Sequence, residues 1–293
     1  RQRQMCIRDR ILIRLGDLDT EKAHRIMASA TYQSRVLVIK RTKLGETDCI
    51  CTLLSQDGSQ IRAVAKGARK PTSPFTSRLE LFSVCDVLFA KGKSLDIIKE
   101  ARLIEGYPHL RENLEKTEAA SPIAELLEKG TVDSLENAQL FALSTKALSF
   151  LDRQTFPDSS LLMITSAYLI KAMSFLGFKP QIDQCIGCGK KVIGGITQPG
   201  ELVNFSFLEG GITCSVCSHD FETQWVKGEV IQWIYTLLYL TFEQILTFSI
   251  SDSLQYDMLR FLQQWIKVHL GYSLKSLTYI FSYGLQTSSC EAT

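Results

Sequence analysis

Four cysteines have the type and the spacing needed to bind a metal ion. They form two CxxC pairs, Cys185 with Cys188 and Cys214 with Cys217, and 25 residues separate the pairs. Two residues between cysteines allow one tight turn to aim both sulfurs at one ion, and two such turns complete a tetrahedral shell of four thiolates that suits zinc and leaves no place for a substrate. We therefore predict one structural Zn²⁺. Two redox-active CxxC motifs or metal-free thiols are the alternatives.

A second chemical feature is a run of cations between Ile61 and Pro71 that contains no acidic residue. The run comes at the end of a predicted strand and continues into a loop rich in Gly, Pro and Ser. Cations at the edge of a sheet can follow a phosphate backbone by releasing its counterions. The candidate DNA-binding residues in the run are Arg62, Lys66, Arg69 and Lys70. Further cations could extend this patch: Arg35, Lys40, Arg41, Lys43, Arg78, Lys91 and Lys93. A solvated strand end without a ligand is the alternative.

No arrangement suited to catalysis is found in the sequence. The four histidines, at positions 24, 109, 219 and 269, have neither metal-ligand nor triad spacing, and there is no Walker-type phosphate loop. We expect His219 to be a surface residue rather than a fifth metal ligand, and His269 to be an exposed group at a helix end. The chain is therefore predicted not to be an enzyme.

The charge of the chain is unevenly distributed. Residues 31–106 contain 13 Lys and Arg against 8 Asp and Glu, whereas the whole chain of 293 residues carries a net charge of only +2. This asymmetry is expected when one domain meets a polyanion. The apolar content of 45% is typical of a globular protein, and its length favours two or three domains.

The chain is predicted to work in a reducing compartment. No secretory signal is recognised in the Arg-rich first residues, and the most apolar stretch, 230–250, is interrupted by Gln232, Glu243 and Gln244. That stretch falls short of the roughly 18–20 apolar residues that a membrane span needs, so a buried helix is expected. Residues 1–30 are expected to be a non-native or disordered leader, since the string MCIRDR looks like a translated sequencing adapter and would place the natural start near Met27.

The elements that must position these residues change along the chain. Strands are predicted over 32–40, 49–54, 60–65, 79–90 and 94–104, with turns at Gly45 and at Asp57–Gly58. Short strands joined by tight turns suggest a small barrel, in which the cysteines at 49, 51 and 85 are core residues. Helices are predicted from Ser121–Pro122 onward and over 134–151, 160–176, 223–247 and 252–270, with Gly271 as a C-terminal cap.

The order of several motifs resembles the bacterial RecO family of DNA repair and recombination proteins. The motifs are Leu44–Asp48, the turn at Asp57–Gly58, Ala65–Lys70, the paired CxxC motifs and His269–Leu277, and the resemblance covers about residues 31–281. It implies an α+β multidomain protein in which an N-terminal OB-fold β-barrel precedes an α-helical domain with a zinc-ribbon-like insertion. The implied domains are 31–106 for the barrel, 107–181 and 222–293 for the two parts of the helical domain, and 182–221 for the zinc-binding insertion.

The resemblance also implies a function. Members bind single- and double-stranded DNA, anneal complementary strands, and with RecR help RecA to displace single-strand-binding protein from DNA. The implied partners are therefore both forms of DNA, RecR, single-strand-binding protein and, indirectly, RecA, in the bacterial cytoplasm at the nucleoid. The family's basic loop corresponds to Lys66, Arg69 and Lys70. A zinc-ribbon protein–protein adaptor with a basic barrel and no annealing activity is the alternative, and a nuclease or RNA-modifying enzyme is a third interpretation.

Overall fold

The computed structural model describes residues 30–133, 136–153, 161–192 and 200–285. The predicted leader lies almost wholly outside these ranges. Within them the chain forms a five-stranded barrel, a bundle of helices and a small three-stranded sheet.

The N-terminal strands close into a barrel in the order β1-β2-β3-β5-β4, which is the OB-type arrangement that the family resemblance implies. Neighbours are antiparallel except for β3 and β5, which run parallel where Ala63 pairs with Asp96. The strands are β1 (Thr31–Leu44), β2 (Asp48–Ser55), β3 (Gln60–Ala65), β4 (Val84–Ala90) and β5 (Asp96–Glu105).

Alternation of side chains fills the barrel. The thiols of Cys49 and Cys51 and the side chain of Leu53 all point inward from β2, because successive residues of a strand face opposite sides. Cys85 joins them from β4, so the cysteines predicted as core residues are buried. The fourth strand begins at Val84 rather than at residue 79. The short helix α1 (Phe75–Arg78) and a turn precede it, and they place Leu79 in the barrel core.

Helices follow the barrel and bury a long apolar core. They are α2 (Pro108–Glu112), α3 (Leu114–Gly130), α4 (Ala138–Leu151), α5 (Leu161–Phe175), α6 (Gly228–Tyr239), α7 (Phe242–Ile245), α8 (Asp252–Leu270) and α9 (Lys275–Tyr283). Helix α5 is buried nearly all round and lies against α3, α4, α6 and α8. Among the described residues, none of the helices combines the length and the apolar character needed to cross a bilayer.

The prediction that a helix starts at Ser121–Pro122 is wrong. Helix α3 starts earlier, because the side chain of Asn113 accepts a hydrogen bond from the backbone N–H of Lys116 and caps it. The hydroxyl of Ser121 donates to the carbonyl of Thr117 inside the helix, and Pro122 lies in mid-helix. Proline there removes one backbone hydrogen bond, but the helix buries a long apolar stripe that offsets this loss.

Two further expectations on the C-terminal half are corrected. Residues predicted as the start of a helix at 223 instead form strand β8 (Gln224–Lys227), and the helix begins at Gly228. His269 is not an exposed end group: its ring packs against Phe178 and Trp265, with ring centroids 5.3 and 4.0 Å away. The helix over 252–270 is confirmed, and Gly271 ends it with a positive φ of 78°.

The zinc-ligand segment interrupts the helical part as a small sheet, here called the ribbon. Its strands β6 (Leu202–Ser206), β7 (Gly211–Thr213) and β8 lie in the order β7-β6-β8. One face of the ribbon packs on helix α8, where Phe205 and Phe207 meet Phe261 and Trp265 at centroid distances between 5.0 and 6.5 Å. This aromatic cluster fixes the ribbon to the helices.

The barrel is joined to the helices by polar and apolar contacts. The side-chain amide of Gln60 donates to the carbonyl of Glu128 at 3.0 Å, and Lys40 forms an ion pair with the Glu128 carboxylate at 2.7 Å. Gly58 in the β2–β3 turn packs so closely on Asn137 that an added Cβ would lie 2.2 Å from the Asn137 carbonyl oxygen. Barrel residues such as Leu37 and Leu54 also belong to the core of the helical bundle.

Candidate metal centre and nucleic-acid interface

The four predicted zinc ligands converge at one point of the ribbon. The sulfurs of Cys185, Cys188, Cys214 and Cys217 all lie within 4.8 Å of one another. Two turns bring them there. The first is closed by the N–H of Cys185 donating to the carbonyl of Lys190 at 2.8 Å, and the second by the N–H of Ser218 donating to the carbonyl of Cys214 at 3.0 Å.

The spacing of the sulfurs fits a small cation. Four sulfurs about 2.3 Å from a tetrahedral zinc are separated by about 3.8 Å from each other, and the sulfurs of Cys188 and Cys214 are 3.8 Å apart. Gly187 makes the approach possible, because a Cβ at this position would lie 2.9 Å from the Cβ and 3.0 Å from the sulfur of Cys217. The donor set can therefore hold one metal ion.

Backbone amides favour the thiolate form of the first ligand. Burial opposes ionisation of Cys185, but N–H groups of Cys214, Cys188 and Gly187 point at its sulfur and lower its pKa to about 6. The amide of Cys214 lies 3.3 Å from that sulfur. Hydrogen bonds with Cys214 and Cys188, and then burial, raise the pKa of Cys217 to about 12, because they favour the neutral thiol as a donor to its neighbours. A bound cation would favour the thiolate form of all four cysteines.

His219 lies on the exposed side of the second turn, in the short 3₁₀ helix Cys217–Asp220. Among the described residues, the cluster that could hold a metal contains the four cysteines and not this histidine. A closed shell of four sulfurs leaves no open coordination position, so the geometry suits a structural ion rather than a catalytic one.

Several of the predicted DNA-binding residues meet at one end of the barrel, here called the barrel rim. Strand pairing places Lys43 opposite Cys49 and Cys49 opposite Ala65, so Lys66, which follows Ala65, lies at the same end as Lys43. The loop after β3 is tied to the β1–β2 turn, since Arg69 donates through its guanidinium to the carbonyl of Gly45 at 2.9 Å. The rim consists of Lys43, Lys66, Arg69 and Lys70, all of them exposed.

One carboxylate organises the barrel rim. Asp48 accepts a hydrogen bond from the backbone N–H of Gly67 at 2.8 Å and another from the hydroxyl of Thr47 at 2.9 Å. These bonds, together with the nearby charges of Lys66 and Lys70, lower the pKa of Asp48. The hydrogen bond from Gly67 to Asp48 thereby fixes the loop after β3, while the rim cations are exposed to solvent.

A second group of predicted residues lies along β3 and the β4–β5 loop. Arg62 and Lys91 line a groove of about 650 Å³ together with Tyr32 and Asp96. The ammonium of Lys91 lies 4.5 Å from the centre of the Tyr32 ring and 3.7 Å from the Asp96 carboxylate, which partly neutralises it. Lys93, two residues further along the same loop, is exposed.

Arg35 and Arg78 lie apart from the barrel rim, on the wall formed by β1, β4 and β5. Both line a groove of about 800 Å³ on that wall. Arg35 is engaged by Asp86 through two hydrogen bonds of 2.8 and 3.1 Å, and the pKa of Asp86 is lowered as a result. Arg78 donates to the carbonyl of Ala101 at 3.0 Å.

Two predicted cations near the end of β1 have partners inside the protein. Lys40 pairs with Glu128 of helix α3, and Arg41 lies against the thiol of Cys49. A hydrogen bond from Cys51, and then a hydrogen bond and the charge of Arg41, outweigh burial and lower the pKa of Cys49 to about 6. Both side chains are therefore partly committed to the fold.

Sequence reasoning missed two cations of the wall. Lys99 and Arg102 on β5 line the same groove as Arg35 and Arg78. They alternate with acidic and apolar residues along the strand, and nothing in the linear sequence groups them with residues more than twenty positions away. Only the pairing of β5 with β4, in which Asp86 lies opposite Arg102, brings them onto this wall.

Known proteins resemble this chain along nearly all of its described length. The family model "Recombination protein O N terminal" matches residues 27–107, and "Recombination protein O C terminal" matches residues 111–278. A protein named DNA repair protein RecO from Desulfitobacterium hafniense is 31% identical over 249 residues, which cover 84% of this chain and 87% of that protein. Proteins of the same name from Thermoanaerobacter sp. and Bifidobacterium adolescentis are 27% and 29% identical, over 85% and 84% of this chain and 96% and 97% of theirs.

Proposed function

The chain belongs to the RecO family of DNA repair and recombination mediators, and from this membership we propose that it binds single- and double-stranded DNA through the barrel rim. We further propose that it anneals complementary strands, and that with RecR it promotes loading of RecA onto DNA coated by single-strand-binding protein. These steps are proposed to occur without catalysis, in the bacterial cytoplasm at the nucleoid.

The observation that carries this proposal is the barrel rim itself. Lys43, Lys66, Arg69 and Lys70 are exposed at one end of an OB-type barrel, and hydrogen bonds to Gly45 and Asp48 fix the loop that presents them. A fixed row of cations next to a barrel groove supplies salt-dependent affinity for a phosphate backbone without selecting a sequence.

Annealing follows from the same chemistry. Two complementary strands repel each other through their phosphates, and bound cations reduce that repulsion. Because the rim contacts phosphates, the Watson–Crick edges of the bases remain free to pair. Arg62, Lys91 and Lys93 are proposed to extend the path along β3, and Arg35, Arg41 and Arg78 are the remaining proposed contacts.

The metal centre is proposed to hold one Zn²⁺ in a structural role. Cys185, Cys188, Cys214 and Cys217 would be its ligands, and the ion would hold the two turns of the ribbon together. The proposed domains are the barrel over 31–106, the ribbon insertion over 182–221, and the helical domain on either side of it, over 107–181 and 222–293.

Charge reversal at the barrel rim tests the DNA-binding proposal. We expect Lys66→Glu combined with Arg69→Glu to weaken binding of an oligonucleotide by about tenfold or more at moderate salt, and to reduce the slope of log K against log salt by roughly 1.4 or more. Strand annealing should fall in parallel. Fluorescence anisotropy measured across a salt titration, and annealing of a labelled complementary pair, provide the measurements.

The matched control reverses two exposed lysines of the helical domain, Lys129→Glu with Lys267→Glu, which changes the net charge equally. This variant should bind DNA as the unmodified protein does. If the rim variant had the same affinity and the same salt slope as the unmodified protein, the assignment of the barrel rim as the DNA-binding surface would be refuted. Failure of the unmodified protein to bind or anneal DNA would favour the protein–protein adaptor instead.

A further inference from the structure

The outer face of the ribbon exposes a tryptophan. Trp225 on β8 is 66% exposed, and strand pairing aligns it with Asn204 on β6 and Thr213 on β7. Val226 and Val203, which also pair with each other, face the opposite way toward the helices, where Val203 is buried. Directly paired residues of antiparallel strands share a face, so the indole stands on the face of the sheet opposite to that of Val203.

Two lysines border the same surface. Lys190 and Lys191 follow the first metal-binding turn and line, with Trp225, a groove of about 450 Å³, here called the ribbon groove. Both are exposed, and among the described residues neither forms an ion pair within 4 Å. Glu201 is the acidic residue lining the groove and has interactions of its own. The groove therefore combines one aromatic platform with two lysine ammonium groups.

The positions of these groups are fixed by the fold. The carbonyl of Lys190 accepts the hydrogen bond from Cys185 that closes the first metal-binding turn. Trp225 is held by the pairing of β8 with β6, and the hydroxyl of Thr213 donates to the carbonyl of Asn204 within the same sheet. A ligand that fits this arrangement meets a surface that needs little reorganisation to bind it.

We infer that the ribbon groove binds single-stranded nucleic acid, with one base stacked on the Trp225 indole and flanking phosphates at Lys190 and Lys191. An exposed indole can stack with any unpaired base, whereas a base inside a duplex has both faces covered by its neighbours. The ammonium groups beside the indole suit the phosphates of that nucleotide and its neighbour. This inference rests on the proposed DNA-binding function and adds a contact outside the barrel.

Tryptophan fluorescence tests the stacking directly. The chain contains Trp225, Trp233 and Trp265, and Trp265 is only 1% exposed. Oligothymidylate should quench the emission of the unmodified protein, and Trp225→Phe should abolish most of that quenching. Because phenylalanine still offers a ring for stacking, the affinity of Trp225→Phe measured by anisotropy should stay close to that of the unmodified protein.

Affinity measurements separate stacking from charge. Trp225→Ala should weaken oligothymidylate binding by about fivefold or more, the effect of losing one stacked base, and should leave duplex binding unchanged. Lys190→Gln with Lys191→Gln should lower the salt slope for oligothymidylate by roughly 1.4. The control Lys129→Gln with Lys267→Gln should change neither quantity.

The outcomes distinguish this inference from the proposed function. If the unmodified protein binds oligothymidylate by anisotropy but shows no quenching that depends on Trp225, the ribbon groove assignment is wrong while the barrel proposal stands. An equal loss of duplex and single-strand affinity in Trp225→Ala would also overturn it. If the unmodified protein binds no DNA, the proposed function fails and the inference fails with it.

Discussion

The imidazole of His269 illustrates how surroundings set the properties of a single residue. It lies between the rings of Phe178 and Trp265, near the C-terminal end of helix α8. One of its nitrogens, Nε2, is buried without a hydrogen-bond partner among the described residues. Burial therefore favours the neutral ring, and the pKa of His269 lies below its usual value of 6.5, although a hydrogen bond with the backbone of Phe207 acts in the opposite direction.

This shift predicts a pH dependence of stability. Because the folded state holds His269 neutral, the unfolded state binds more protons below pH 6.5. Burying the neutral ring therefore contributes fully to the free energy of unfolding above pH 6.5. This contribution is lost as the pH falls from 6.5 through the lowered pKa of the folded state. We expect the free energy of unfolding to fall more steeply as the pH is lowered below 6.5 in the unmodified protein than in His269→Phe, which keeps the aromatic contacts.

Urea unfolding at several pH values provides the measurement. Protonation of the cysteine ligands acts equally on both proteins, so the difference between the two curves isolates His269. Parallel curves over this pH range would contradict the prediction.

At the scale of single residues, spacing alone singled out the four cysteines whose sulfurs lie together in the structure, because the CxxC pattern needs only local turns. The sequence missed the environment of His269: Trp265 lies one turn earlier on the same helix, but Phe178 reaches the ring only through the packing of helix α8 on the segment after helix α5. It also grouped cations by proximity in sequence. Arg35 satisfies Asp86 on another wall of the barrel, whereas Lys43, Lys66 and Arg69 meet at the rim.

At the scale of elements, the turns of the barrel have two distinct roles. Gly45 in the β1–β2 turn has a φ of +60°, and an added Cβ there would meet nothing within 4 Å. Gly58 in the β2–β3 turn has a φ of +93° and also presses on the backbone of Asn137. The first glycine serves only the turn, whereas the second also lets the barrel seat against the helices.

These two glycines make a matched pair of substitutions. Gly45→Ala should cost about 1–2 kcal/mol of unfolding free energy, the cost of a left-handed backbone for alanine. Gly58→Ala should cost at least about 1 kcal/mol more, because its methyl group also forces Asn137 and the helical domain away. Urea unfolding of both variants gives the comparison. Equal losses of unfolding free energy would show that the close approach of Gly58 to Asn137 does not affect stability.

Elements differ in how well sequence patterns predict them. Helix α8 was predicted with its bounds, because it has a clear apolar stripe and a C-terminal Gly271. Helix α3 was placed too late, since the local preference of Ser121–Pro122 for a helix start was outweighed by the capping side chain of Asn113 and the buried stripe of that helix. Strand β8 was mistaken for helix, because four residues beside an amphipathic helix have no periodicity of their own and are specified by pairing with β6.

At the scale of the whole molecule, the parts are joined by shared cores. Leu37 and Leu54 of the barrel contribute to the helical core, and Phe205 of the ribbon packs on Phe261 of helix α8. The buried aromatic residues of the ribbon, Phe205 and Phe207, belong to the helical cluster, so the ribbon shares its core with the helices. Loss of the metal should therefore destabilise the helices as well as the ribbon, through the contact of Phe205 and Phe207 with helix α8.

Metal removal gives the corresponding prediction. Purified protein should contain about one zinc per chain, and Cys185→Ser with Cys188→Ser should lose that zinc and unfold at a Tm several degrees lower. Metal analysis and thermal unfolding measure the two effects. Below the Tm, affinity for single-stranded DNA should fall no further than in a variant that combines Trp225→Ala with Lys190→Gln and Lys191→Gln, since the barrel rim does not depend on the ribbon.

Cys85→Ser is the control for this experiment. Its thiol is buried in the barrel and donates to the carbonyl of Arg78 at 2.9 Å, which a serine hydroxyl can also do. It should retain the zinc even if its stability changes. Full zinc content in the Cys185→Ser with Cys188→Ser variant would contradict the assignment of the ligands.

The sequence by itself determined the features that depend on neighbours along the chain: the strands of the barrel, the turn at Asp57–Gly58, the two CxxC turns and the basic run from Ile61 to Pro71. Their physical causes are local, since alternation, turn geometry and thiolate spacing act within a few residues. Tertiary structure decided which cations meet at the barrel rim, which are neutralised by partners such as Asp86, and where Trp225 is exposed. Those outcomes depend on strand register and helix packing between residues distant in sequence, which no local pattern specifies.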